Sequence, residues 1–338
     1  MKHTDIENKQ DLANYLRCDL RFIEKATNED FFIRDIESFN TISIPVNEIT
    51  VLRSHIKKKG KKEGFRIVHQ AWTDQLENSL KILNNYLNNL HIPYDFIHGF
   101  VKGKNIKTNA NSHLAKKTIL SVDIKNYFES ISKEMIISNL KRIGFSQDVS
   151  CWIASITTIN EVLVQGFCTS PTIANIVTHD LDKKLNDICG DNITYTRYAD
   201  DLYFSTENDQ LPLEEITQII EIFGFKLNNK KTKFMKRGQQ QFVTGLTTFD
   251  DRTARISKSK KRNIRLEIYY INKFGYKKHV ENKLRKSGLK TKSPEFNSRV
   301  TAEIYETRDR LYGWLHFINA IEPNFSSKYY LKLKKSKQ

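Results

Sequence analysis

Apolar positions along the chain recur at two spacings, and these divide it into helices and strands. Leu12, Leu16, Leu20 and Ile23 fall near helical spacing, so residues 1 to about 50 read as mainly helical. The segment from His55 to His69 reads as a β-hairpin, with Gly60 and Gly64 permitting a tight turn and cations gathered near its tip. Ala71, Leu76, Leu80, Ile82, Leu83 and Leu87 predict a long amphipathic helix over 70–90. A strand over 118–123 follows, then helices near 132–143, 147–158 and 171–188, and a hairpin centred on Tyr198. A helix over 213–223 precedes strand-like Phe225-Lys-Leu and Thr232-Lys-Phe-Met. Beyond these, Ile256, Ile264, Leu266 and Ile268 alternate with basic residues in a helix-like pattern. Strands and helices alternating around one antiparallel hairpin argue an α+β fold.

The chemistry concentrates on the central hairpin. Tyr198-Ala199-Asp200-Asp201 sets two adjacent carboxylates at its tip, inside apolar runs on both sides. Adjacent acids repel, and a divalent cation relieves that repulsion; hard oxygen ligands on a short turn suit Mg²⁺. Asp123 ends the apolar strand Thr118–Val122 and supplies a third carboxylate where a strand gives way to a turn. Three carboxylates on neighbouring strand ends predict a two-metal site for in-line phosphoryl transfer. An Asp-Asp pair taken by itself is as well explained by a solvated turn.

Composition narrows the setting. A chain of 338 residues has room for two or three lobes, and a hydrophobic content of 39% with 11% aromatics excludes disorder. No apolar stretch approaches the roughly 20 residues that span a bilayer, and the polar start Met1-Lys-His-Thr-Asp lacks a leader pattern, so a cytoplasmic protein without membrane contact is expected. Cys18, Cys151, Cys168 and Cys189 lack CxxC spacing, which points to reduced packing residues rather than a zinc site or disulfides. The formal net charge is +16, and it is uneven: residues 251–338 hold 23 basic and 8 acidic side chains, whereas residues 1–250 are nearly balanced. A positive field of that kind favours nucleic acid, with Lys260, Lys261 and Arg262 at its centre. Lys332 to Lys337 read equally well as a solvated basic tail.

An Asp followed five residues on by Phe128, and later a Tyr-x-Asp-Asp turn, together resemble the reverse transcriptases. Gln165-Gly-Phe-Cys-Thr-Ser-Pro171 with Asn175 resembles that family's Gln-Gly-x-x-x-Ser-Pro-x-x-x-Asn segment, although Val164 and Cys168 stand where prolines are common. In that segment Gly166 lets backbone approach a ligand, and Ser170-Pro171 reads as the N-cap and first residue of a helix. Asn109-Ala-Asn-Ser-His113 and Val243-Thr-Gly-Leu246 resemble two elements of bacterial retron reverse transcriptases in particular.

The resemblance implies a right-hand polymerase: an N-terminal helical extension over 1–50, fingers over 51–117 with fingers and palm elements to about 175, an antiparallel palm over 118–250, and a mainly helical basic thumb over 251–338. It implies an RNA-directed DNA polymerase with two Mg²⁺ ions on Asp123, Asp200, Asp201 and the Ile124 carbonyl. Nucleotide contacts would come from Arg66, with Lys58 and Lys59 as helpers, from Gln165, and from Phe128 as a steric gate that excludes the 2′-hydroxyl. Lys231, or its neighbour Lys230, would protonate the leaving pyrophosphate. RNA contacts would come from Asn109, His113, Val243, Thr244 and Gly245, beside the basic lobe. The implied partners are dNTPs, a cognate structured non-coding RNA serving as template and 2′-hydroxyl primer, its cDNA product, and an effector protein encoded in the same operon for phage defence. Two alternatives stand beside this: another defence or group II intron-derived reverse transcriptase, and an inactive polymerase fold serving as an RNA-binding scaffold.

Overall fold

The computed structural model describes residues 5–27, 42–46, 49–57, 65–71, 73–287 and 294–335. In chain order the elements are α1 (Lys9–Leu16), α2 (Leu20–Ala26), β1 (Ile42–Val46), β2 (Ile49–Lys57), β3 (Phe65–Ala71), α3 (Asp74–Leu90), α4 (Ile106–Asn111), β4 (Thr118–Asp123), α5 (Lys133–Arg142) and α6 (Gln147–Thr157). They continue as β5 (Thr158–Ile159), β6 (Val162–Leu163), α7 (Ser170–Val177), α8 (His179–Cys189), β7 (Ile193–Tyr198), β8 (Asp201–Thr206) and α9 (Leu213–Ile222). The last are β9 (Lys233–Lys236), β10 (Phe242–Val243), β11 (Leu246–Thr247), α10 (Lys258–Lys286), α11 (Pro294–Asn319) and α12 (Pro323–Lys334).

Two compact units share these elements. The first comprises residues 1–105 and 118–234; the second comprises 106–117 and 235–338. In the first, β7, β8 and β4 lie side by side in that order, antiparallel at each pairing. Five of the six β4 residues are buried beside β8 in the sheet interior, which explains why the strand reads as a continuous apolar run. Helix α3 begins where the Thr73 hydroxyl accepts the Leu76 N–H at 3.3 Å and buries the stripe Leu76, Leu80, Leu83 and Leu87. Ser132 and Ser146 cap α5 and α6 in the same way.

Three elements differ from the pattern-based expectation. The helical N-terminal segment stops at Ala26, and Ile42–Val46 is instead a strand paired antiparallel to β2, as its alternating Ile42, Ile44 and Val46 favour. The helix expected over 171–188 is two helices meeting at Thr178, whose hydroxyl donates back to the Ala174 carbonyl at 2.8 Å. Phe225-Lys-Leu is not a strand; Leu227 makes a single antiparallel bridge to Ile124. The basic hairpin forms with His55 opposite Ile67, while its tip with Lys58 and Lys59 lies outside the described residues.

In the second unit, α10 kinks at Gly275, which takes a φ of 80°. The six residues from Phe242 to Thr247 hold a two-residue turn, Thr244-Gly245, with both φ values positive, joining β10 to β11. Among the described residues no helix is long and apolar enough to cross a membrane.

Candidate active site

The acidic turn is defined by register. Tyr198 pairs with Asp201 across the β7–β8 hairpin, leaving Ala199 and Asp200 as a two-residue turn, with Ala199 at φ 58°. Asp123 pairs with Asp201 on the neighbouring strand, and the Ile124 N–H donates to the Asp200 carbonyl at 2.9 Å. The three predicted carboxylates therefore share one end of the sheet. Burial pushes the Asp201 carboxyl up to about 7, with repulsion from Asp200 and Asp123 adding to it. Asp123 is almost fully buried and has two partners of its own: the Asn228 side-chain amide donates to it at 3.1 Å and Lys231 Nζ at 2.5 Å. Partial burial works against the Lys231 charge, but Asp123 outweighs it and holds the ammonium above its ordinary value. Among the described residues no three metal-ligating side chains converge on one point. The carboxylates form an open oxygen cluster rather than a closed cage.

Beneath the turn lies a buried charge network. Arg197 is fully buried and donates to Asp182 through Nε at 2.8 Å and Nη2 at 2.6 Å. Its Nη1 donates to the Tyr127 hydroxyl, the Asn175 side chain and the Ala199 carbonyl at 3.1–3.2 Å. Burial opposes the guanidinium charge and Asp182 more than compensates, so Arg197 is held above its ordinary value. Asn175 in turn donates to the Gly99 carbonyl at 3.2 Å. Gly99 is glycine for a steric reason: a Cβ there would lie 2.2 Å from the Ala199 nitrogen and 2.9 Å from the Tyr198 carbonyl carbon. The turn is thus fixed from below by one guanidinium and one close backbone approach.

The remaining predicted residues divide. Phe128 is partly buried beside Phe100, with ring centroids 6.3 Å apart, while the neighbouring Tyr127 points inward to Arg197. The Gln165 carbonyl accepts the His69 N–H at 2.8 Å. Gly166 allows that junction, since a Cβ would lie 2.1 Å from the His69 carbonyl oxygen. Ser170 does not cap α7; its hydroxyl donates to the Val164 carbonyl at 2.5 Å and braces the loop. Arg66 lies on β3.

The expected RNA-contact residues of the second unit differ in exposure. Asn109, His113 and Val243 are fully buried, so they present no surface to an RNA and support the unit's interior. Thr244 is half-buried and donates to the Ile106 carbonyl at 2.8 Å, while Gly245 is exposed. Lys261 is largely buried and ion-paired with Glu322 at 2.7 Å, and Lys260 sits 3.5 Å over the Trp314 ring, so both ammonium groups are engaged in packing. Arg262 is exposed.

Residues 56–266 match the family described as reverse transcriptase (RNA-dependent DNA polymerase), and the chain belongs to that family. Within it, the chain groups with the retron enzymes. It is 28% identical over 220 residues to the retron Ec86 reverse transcriptase of Escherichia coli, covering 64% of this chain and 68% of that one. It is 32% identical over 254 residues to the retron Ec73 reverse transcriptase of Escherichia coli, covering 68% and 78%. With the retron Mx65 reverse transcriptase of Myxococcus xanthus it shares 32% over 195 residues, covering 51% of this chain and 45% of that one, so it spans less than half of that relative. The chain is an RNA-directed DNA polymerase of a family that uses divalent metal ions.

Sequence reasoning missed Arg197, Asp182, Asn228 and Gly99 as parts of this site. The available signal was a charged residue at an inward position on each of two otherwise apolar element faces: Asp182 between Leu181 and Leu185 on α8, and Arg197 between Tyr195 and the turn on β7.

Proposed function

We propose that this chain copies a cognate structured non-coding RNA into single-stranded DNA from a 2′-hydroxyl primer, using two Mg²⁺ ions, in the cytoplasm and as part of a phage-defence system with an operon-encoded effector. The observation that carries the catalytic part is the carboxylate cluster: Asp201 is driven up to about 7 by burial and by Asp200 and Asp123, the repulsion that a hard divalent cation relieves. An open cluster suits Mg²⁺, which binds through one or two carboxylates and completes its shell with water and substrate phosphates. Asp123, Asp200, Asp201 and the Ile124 carbonyl would hold the ions. When bound, two such ions activate the attacking hydroxyl and offset charge on the leaving pyrophosphate.

The chain's own residues do the rest. Asn228 orients the Asp123 carboxylate, and Lys231, already charged beside it, is placed to donate a proton to the leaving group. Arg66 and Lys59 grip the triphosphate, a task that suits the planar fork of arginine. Gln165 faces the nucleotide, and Phe128 closes the space below the sugar. In the second unit, RNA contact falls to the exposed Gly245 turn and Arg262, with Asn109, His113 and Val243 acting as its internal support. The proposed organisation keeps fingers over 51–117, palm over 118–250 and a basic thumb over 251–338.

Primer extension on an RNA template tests the reading. Asp200→Asn and Asp201→Asn should each abolish dNTP incorporation while RNA binding persists, since both residues belong to the first unit and the basic excess belongs to the second. Substantial Mg²⁺-dependent extension by both variants would sink the metal-ligand assignment.

A further inference from the structure

Phe100 combines features that the fold alone does not require. Its backbone takes a φ of 61°, a region that bulky side chains rarely occupy and that glycine or asparagine fills at lower cost. The residue is 44% exposed, so core packing does not account for it. Strained backbone of this kind clusters where a site must be held in one geometry.

The residue is also held firmly in place. The preceding Gly99 lies against the Tyr198-Ala199 backbone, its N–H donates to the Arg197 carbonyl at 3.3 Å, and its own carbonyl accepts from Asn175 at 3.2 Å. The Phe100 Cα is therefore fixed relative to the turn that carries Asp200. From there the ring reaches Phe128, tilted at 49° with centroids 6.3 Å apart. Phe128 also meets Tyr127, 5.4 Å away, which is anchored through its hydroxyl to Arg197. Phe128 thus contacts two rings that are both tied to the acidic turn, Tyr127 through the Arg197 guanidinium and Phe100 through Gly99 and Asn175.

We infer that Phe100 is a positioning residue for sugar discrimination: it buttresses Phe128 so that the gate ring stays beneath the sugar and cannot turn aside for a 2′-hydroxyl. This rests on the reading of Phe128 as the gate. An aromatic pair of this kind resists displacement through edge and face contacts. A gate ring without its buttress gains room to rotate, which admits a ribonucleotide without harming use of a deoxynucleotide.

The test is single-nucleotide extension on an RNA template by the full chain, comparing kcat/KM for dGTP and GTP. Phe100→Asn tolerates the positive φ while removing the ring, and it should raise GTP use relative to dGTP by about tenfold, the scale of a small steric change in a substrate pocket. Phe100→Tyr should retain the parent ratio. Added to Phe128→Ala, Phe100→Asn should produce no further change, because a buttress acts only through the ring that it supports. Should Phe100→Asn not fold, Phe100→Leu gives the same comparison with apolar bulk retained. Relaxed discrimination in Phe128→Ala with none in the Phe100 variant overturns the buttress and leaves the gate standing. Equal loss with dGTP and GTP, or full additivity in the double variant, also overturns it. Unchanged discrimination in Phe128→Ala removes the gate reading itself, and the buttress with it.

Discussion

Replacing Arg197 by methionine should be among the most damaging single changes in the first unit. The pair Arg197–Asp182 is 0% and 1% exposed, so the methionine variant would strand a carboxylate inside the protein. Removing one partner of a buried ion pair costs about 3–5 kcal/mol. Asn175 and Ala199 each lose a donor as well, at about 1 kcal/mol or more for each buried acceptor left unsatisfied. Tyr195 still donates to Asp182 at 2.8 Å, which offsets part of this, so the net loss should stay near about 3–5 kcal/mol. Against a typical domain stability of about 5–15 kcal/mol, that is a large fraction. With a urea m-value of about 2 kcal/mol per molar, the midpoint should fall by about 2 M. Extension should fall further than the folded fraction does, because the Ala199 carbonyl under the acidic turn is released. The informative partner is the double variant Arg197→Met with Asp182→Leu: with both charges gone it should recover at least about 2 kcal/mol over Arg197→Met alone. Urea titrations of the three proteins decide it. A loss under about 1 kcal/mol, or a double variant no more stable than the single, would refute the claim that this pair is a closed buried unit.

Two further outcomes follow from local geometry. Gly99→Ala should abolish extension and destabilise the first unit, since the new Cβ meets backbone atoms at 2.2 and 2.9 Å that cannot swing away, whereas Gly313→Ala, with open space around it in α11, should leave extension unchanged and raise stability in thermal melts by about 0.5–1 kcal/mol. Burial lowers the pKa of both His91 and His98 to about 4, so the unfolded chain, near 6.5, binds protons that the fold excludes. Their contribution is complete above about pH 6.5 and is lost as pH falls toward 4; His91→Phe should flatten the decline between pH 6.5 and 5 in urea titrations, and an unchanged slope would rule His91 out as a source.

The acidic turn was legible because it is local: Tyr198 to Asp201 lies in one hairpin, and Asp123 ends a strand whose apolar run announces itself. The capped helices were legible for the same reason. What escaped was long-range. Arg197 and Asp182 meet across a strand and a helix, and nothing in either periodicity says that two inward charges face one another. Gly166 and Ser170 belong to a recognisable motif, yet their partners, the His69 and Val164 carbonyls, are set by how the loop crosses β3, which spacing does not encode. Asn109 and His113 carried a family pattern that says nothing about burial, and a polar pair on a short helix and the turn after it looks the same whether it faces solvent or the interior. Lys261 shows the limit of charge counting: a cation within a basic stretch is ion-paired to Glu322 from a distant helix.

The two cations nearest the acidic turn act on it differently. Arg197 lies beneath it and is matched by Asp182 within its own buried unit, so it positions the turn through hydrogen bonds while contributing little net charge. Lys231 sits at Asp123 with more than half of its side chain exposed, so it is the cation free to follow changes in the site. One ammonium cannot balance three carboxylates, and burial together with repulsion from Asp200 and Asp123 holds the Asp201 proton up to about 7. A rigid, internally neutral base under a turn and an under-neutralised acid cluster above it give a site whose geometry is set before any ligand arrives and whose charge is not. That combination favours a divalent cation over a rearrangement of the protein, because binding relieves repulsion already present and requires the displacement of no more than an exposed lysine side chain.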